Sequence, residues 1–156
     1  MATSSRFQIV PLDHIPLEVR SHQDVKQLPI VLVVDDERVI ADTLSIILAR
    51  SGFLVQTAYN AESALDLARV IPPHLLLSDV MMGPGADGMQ LALELMKSYP
   101  DCKVILFSGH AATQELIEKA RHTGNTFTLL SKPLHPSDLL AAVCECFGYL
   151  PTPANA

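Results

Sequence analysis

The stretch "IVLVVDDERVIADTLSIILARSG", Ile30 to Gly52, decides the fold. Its first five residues are β-branched or leucine with no polar alternation, the pattern of a strand covered on both faces. Two aspartates close that run and the period changes. Ile40, Thr43, Leu44, Ile47 and Leu48 then share one helical stripe, and Gly52 supplies the stop. A fully buried strand followed at once by an amphipathic helix is the building unit of a parallel sheet clad in helices.

The same alternation continues downstream. "FLVQTA" (53–58) reads as a second strand, and Asn60 as the cap of a helix with Ala61, Ala64, Leu65 and Ala68 on one face, ended by Pro72-Pro73. "LLLSD" (75–79) is a third strand, followed by a helix from Gly88 to Ser98. "KVILF" (103–107) is the fourth, with "ATQELIEKARHTG" (112–124) as its helix. "FTLLS" (127–131) is the fifth, and Pro136 opens a last helix with Leu139, Leu140, Val143 and Phe147 inward and Gly148 beyond. Five such units predict right-handed crossovers and helices on both faces of one sheet.

The two ends stand apart. Residues 1–28 mix prolines and scattered charges without a period. "FQIVPL" (7–12) has the makings of a short strand, which Pro11 keeps out of a sheet interior. The favoured reading is a flexible arm, and the sharper alternative is a docking or dimer segment. The domain proper is expected over 29–148, with 149–156 as a fraying tail.

Composition narrows the classes. At 156 residues, 49% hydrophobic and 18% charged, the chain suits one globular domain. A net charge of −6 argues against direct nucleic-acid binding. Cys102, Cys144 and Cys146 form neither a C-x-x-C pair nor a zinc pattern, which suits a reducing compartment. With no signal peptide and no membrane-length apolar run, a cytoplasmic protein without membrane insertion is expected.

In open parallel sheets ligands bind beyond the carboxyl ends of the strands. There the first strand carries Asp35 and Asp36, the third Asp79, the fourth Ser108 and the fifth Lys132. Three neighbouring carboxylates raise one another's pKa, a cost that a divalent cation removes. An all-oxygen donor set points to Mg²⁺. Lys132 adds a positive point charge and Ser108 a hydroxyl, groups suited to the oxygens of a transferring phosphoryl group. Asp79, in the central strand, is the candidate nucleophile.

The set "VLVVDDE" (31–37), "LLLSDVMM" (75–82) with "PGADG" (84–88), "VILFSG" (104–109) and "LLSKP" (129–133) resembles the receiver domain of bacterial two-component response regulators. That resemblance implies a flavodoxin-like (βα)5 fold, a doubly wound five-stranded parallel sheet with strand order 2-1-3-4-5. It makes Asp79 the phosphoacceptor and Asp36 a direct Mg²⁺ ligand, with Asp35 acting through water and the Met81 main-chain carbonyl completing the shell. Ser108 becomes the hydroxyl residue that moves to the new phosphoryl group, with Lys132 pairing to it, and Lys132–Pro133 is expected to be cis. The partners it implies are a sensor histidine kinase or histidine phosphotransfer protein, an unknown downstream protein, and a homodimer through the fourth helix, fifth strand and last helix.

Three features depart from the family pattern. "DVMMGPGADG" (79–88) is one residue longer, with Gly83 as the insertion. Leu129 stands where an aromatic switch residue is common. Phe127, two residues earlier on the same strand face, is either a substitute for it or ordinary core. The interval from Ser108 to Lys132 is also slightly long. His110, just after Ser108-Gly109, either tunes hydrolysis or is a solvated helix-start residue. His74 and the other histidines read as loop or surface positions. Arg121 and Lys119 read as solvent-facing charges or signalling contacts.

The leading functional reading is a stand-alone response regulator that is not an enzyme beyond self-phosphorylation and slow self-dephosphorylation. A non-cycling pseudo-receiver serving as a protein-binding module is the alternative. An aspartyl phosphohydrolase ranks last, because Met81 occupies the place where such enzymes carry a second acid.

Overall fold

Six strands form the main sheet, and the outermost comes from the segment read as an arm. The computed structural model describes residues 6–8, 28–83, 86–109, 118, 121–122, 124 and 127–148, with backbone alone for 6–8 and 86–87. The strands are β1 (Arg6–Gln8), β2 (Ile30–Val34), β3 (Leu54–Ala58), β4 (Leu75–Asp79), β5 (Met81–Met82), β6 (Ala86–Asp87), β7 (Lys103–Ser108) and β8 (Thr128–Ser131). The sheet order is β1-β3-β2-β4-β7-β8. All pairs are parallel except β1 with β3. Counted along the chain, the five parallel strands stand in the expected order 2-1-3-4-5.

β1 overlaps the stretch read as a candidate short strand within the amino-terminal extension. It lies antiparallel to β3, with Phe7 opposite Gln56. An edge is where a three-residue strand just ahead of Pro11 is tolerated. Residues 9–27 lie outside the described residues.

Among the described residues four complete helices flank the sheet: α1 (Arg38–Arg50), α2 (Ala61–Val70), α3 (Gly88–Ser98) and α4 (Pro136–Phe147). Between β7 and β8, Glu118, Arg121 and His122 are helical, and the remainder of the helix expected there lies outside the described residues. Side-chain alternation along the strands divides the core into two layers. Leu32, Val34, Leu76 and Leu106 pack with α2 and α3, while Val31, Val33, Leu77, Ile105 and Phe107 pack with α1 and α4. Val31 to Val34 are completely buried, which is why that strand carries no polar alternation. Among the described residues no helix is long and apolar enough to cross a membrane.

The helix ends follow local chemistry. Asn60 accepts the Ser63 N–H at 2.7 Å, capping α2. Gly148 ends α4 at φ 70°, its N–H turned back to the last carbonyls. The α1 stripe is rotated from the expected one: Ala41, Leu44, Ser45 and Leu48 are buried, whereas Thr43 is exposed. Ser45 faces inward because its hydroxyl pairs with that of Thr57 at 2.7 Å. Thr43 instead donates to the Val39 carbonyl one turn back, at 2.6 Å. A hydrophobicity pattern does not see a buried polar residue that brings its own partner.

His74 was read as a surface residue, and its side chain is exposed. Its Nδ1 nevertheless accepts the Ile30 N–H at 2.9 Å, while its N–H donates to the Ile30 carbonyl and its carbonyl accepts from Lys103, each at 2.9 Å. It therefore ties β2 to β7 just ahead of β4. His74→Ala should lower the urea midpoint by an amount equivalent to about 1 kcal/mol, the ordinary net worth of one hydrogen bond. His74→Asn, which presents an oxygen at nearly the same place, should recover most of that loss.

Candidate functional site

The strand ends nominated by the sequence converge. Asp35 follows β2 and Asp79 ends β4, and with Asp36 they bring one carboxylate oxygen each within 4.8 Å of one another. Asp35 and Asp79 are buried and Asp36 is exposed. Ser108 ends β7, opposite Ser131, and its carbonyl accepts the Lys132 N–H at 3.1 Å. The Lys132 Nζ lies 3.0 Å from Asp79 Oδ2 and 3.9 Å from Asp35 Oδ2. Beneath it, 5.3 Å away, is the buried ring of Phe107, a cation–π neighbour that the motif reading did not single out. The Lys132–Pro133 peptide is cis.

Burial dominates the electrostatics of Asp35. Removal from water raises its pKa from 3.8 to about 6, against the Glu37 N–H that Oδ1 accepts at 2.9 Å. The negative charge of Asp79 raises it further, Lys132 pulls it down, and a hydrogen bond with Asp36 pushes up. The repulsion expected between neighbouring acids is present, as the effect of Asp79, and ranks below desolvation. Asp35 Oδ2 is buried without a hydrogen-bond partner. For Lys132, burial works to lower the pKa, but the bond and charge of Asp79, with Asp35 and Glu37, outweigh it and the net shift is upward. A buried carboxylate oxygen without a partner, beside two more carboxylates, fits a small hard cation and could hold one.

The segment after Asp79 is a hairpin. Met81 pairs with Asp87 and Met82 with Ala86. The Met81 N–H donates to Asp79 Oδ1 at 3.1 Å, and the buried Met82 side chain anchors the hairpin in the α2–α3 layer. Gly83 has φ 57°, and a Cβ there would lie 3.8 Å from Asp36 Oδ2. Gly88, expected simply to let α3 begin, has a stricter reason. A Cβ at this position would sit 1.9 Å from the Asp79 carbonyl oxygen, so only glycine lets α3 start against the backbone of Asp79.

The remaining candidates fall as follows. Phe127 is buried in the α2–α3 layer, and Leu129 is half-buried against the same layer. Arg121 turns towards the Phe127 carbonyl, at 3.5 Å. His110 and Lys119 lie outside the described residues.

Two predictions follow from this geometry. The pKa of Asp35 is higher in the folded than in the unfolded chain, so its contribution to stability is full below about 4 and is lost as pH rises through about 6. Without metal, Asp35→Asn should therefore be more stable than the wild type at pH 7.5, by up to about 3 kcal/mol. The gap should shrink towards pH 4.5 in urea titrations. Gly88→Ala should cost about 1–3 kcal/mol by overpacking, and should also weaken divalent-cation binding because it displaces Asp79. Both effects are measurable by thermal melts with and without Mg²⁺.

Residues 31–144 match the family model described as response regulator receiver domain, and the chain belongs to that family. Among solved structures, a two-component transcriptional regulator AraC from Clostridium phytofermentans is 31% identical, with a TM-score of 0.65 over 77% of this chain and 92% of its own. The receiver domain of NtrX from Brucella abortus is 30% identical, with a TM-score of 0.67 over 76% of this chain and 98% of its own. A longer NtrX chain is 29% identical with a TM-score of 0.68 over 77% of this chain, which spans only 27% of that one.

Proposed function

We propose that the chain is a phosphoacceptor, taking a phosphoryl group on Asp79 from a phosphohistidine of a sensor histidine kinase or histidine phosphotransfer protein and signalling by altered partner binding. The observation that carries this reading is the Lys132 ammonium held 3.0 Å from Asp79 Oδ2 within the cluster of three acids. A carboxylate on that spot is both a nucleophile and a group whose new charge a lysine can take up.

Asp35, Asp36 and Asp79, with the Met81 carbonyl, would hold Mg²⁺, which when bound offsets the negative charge of the acids and of the incoming phosphoryl oxygens. A carboxylate oxygen of Asp79 attacks phosphorus, the donor's P–N bond breaks, and the imidazole leaves with a proton. Lys132 then follows a phosphoryl oxygen, and Ser108 offers its hydroxyl to another. The added charge pulls on Ser108 and, through the β7–β8 pairing, on the surface around Leu129. Hydrolysis of the acyl phosphate by water returns the carboxylate. A non-cycling binding module is the second reading, favoured by a half-buried Leu129 where an aromatic switch is common.

The test is intact mass after incubation with acetyl phosphate. A gain of one phosphoryl group that requires Mg²⁺ and is absent in Asp79→Asn is the expected result. No gain under conditions where Mg²⁺ binding is measured directly would discard cycling and leave the binding module.

A further inference from the structure

Arg38 breaks a local rule. It is the first residue of α1, a place where the helix macrodipole disfavours a cation. No side chain caps this helix start and no acid stands in its first turn. Among the described residues Arg38 is exposed and forms no ion pair, although its net environment is acidic. Its guanidinium instead lies over the Tyr59 ring, 4.3 Å from the centroid. The Tyr59 hydroxyl in turn donates to Asp42 Oδ1 at 2.6 Å, one helical turn beyond Arg38. The Tyr59 ring thus seats the guanidinium and Asp42 fixes that ring, while the N–H donors of Arg38 remain available to an anion. Tyr59 directly follows β3, whose Ala58 carbonyl accepts the Asp35 N–H at 3.3 Å, so the arrangement stands at the same sheet edge as the acids.

Charge explains why a cation is useful there. Among the described residues, Asp35, Asp36, Glu37 and Asp79 face one lysine in the site, and that lysine is already bound to Asp79. Even with a divalent ion in place, four acids outweigh the lysine and the metal by one charge. An approaching phosphodonor is itself an anion, so the rim lacks one positive charge for its capture.

We propose that Arg38, seated on Tyr59, is the capture residue for the anionic phosphodonor, binding it at the rim before transfer to Asp79. This rests on the phosphoacceptor reading above. Capture acts on encounter and binding, not on the transfer itself, in which the acetyl phosphate P–O bond breaks, the Asp79 O–P bond forms and acetate leaves.

The experiment measures initial phosphorylation rates against acetyl phosphate concentration in saturating Mg²⁺, at low and high ionic strength, for wild type, Arg38→Ala and Arg38→Lys. Arg38→Ala should raise the half-saturating concentration roughly five- to tenfold, leave the limiting rate within about twofold, and flatten the salt dependence. Arg38→Lys should fall between the two, keeping the charge but losing the flat fork. Thermal melts of each variant report any purely structural role. If the wild type is phosphorylated and Arg38→Ala keeps its half-saturation and salt dependence, Arg38 only packs on Tyr59 and the proposal fails alone. If the wild type gains no phosphoryl group, the phosphoacceptor reading fails and takes this proposal with it.

Discussion

The ammonium of Lys132 beside the carboxylates of Asp79 and Asp35 is the contact on which the rest depends. The two acids sit at the ends of adjacent central strands and are almost without solvent, so the fold must supply their counter-charge. A parallel sheet can do this because every strand delivers its carboxyl end to the same edge. β8, three places from β2 in the sheet, brings the lysine across, and the Lys132 N–H on the Ser108 carbonyl sets its register.

That charge is balanced only in part. One oxygen of Asp35 accepts the Glu37 N–H, while the other is buried with nothing donating to it. Desolvation of this kind is costly for a carboxylate and is tolerated in native proteins mainly at functional sites. A cation seated among the acids removes the penalty. At Asp35 the same desolvation that costs the fold stability would favour a cation.

The hairpin and Gly88 serve the same end from the other side. The Asp79 carboxylate is fixed by the Met81 N–H on one oxygen and Lys132 on the other. α3 begins against its carbonyl, at a distance no side chain allows. The segment after Asp79 adds to this support by pairing β5 with β6, anchored by Met82.

How much of this was legible in the chain follows from the range of each interaction. Unbroken apolar strands, the helical period, Asn60 as cap and Pro136 as helix opener are local, and local sequence encodes them. From these alone came the parallel sheet, the division into strand–helix units and the nomination of Asp35, Asp36, Asp79, Ser108 and Lys132, because strand ends share one edge whatever the side-chain detail. Tertiary structure decided what depends on residues far apart in the chain. It rotated the α1 stripe, since Ser45 needed Thr57 to be buried, and it paired β1 with β3 and placed the His74 ring on β2. It made burial, more than mutual repulsion, the main influence on Asp35. It also set Arg38 on Tyr59 and Gly88 on the Asp79 carbonyl, contacts that no periodicity announces because close packing and desolvation exist only once the layers have come together.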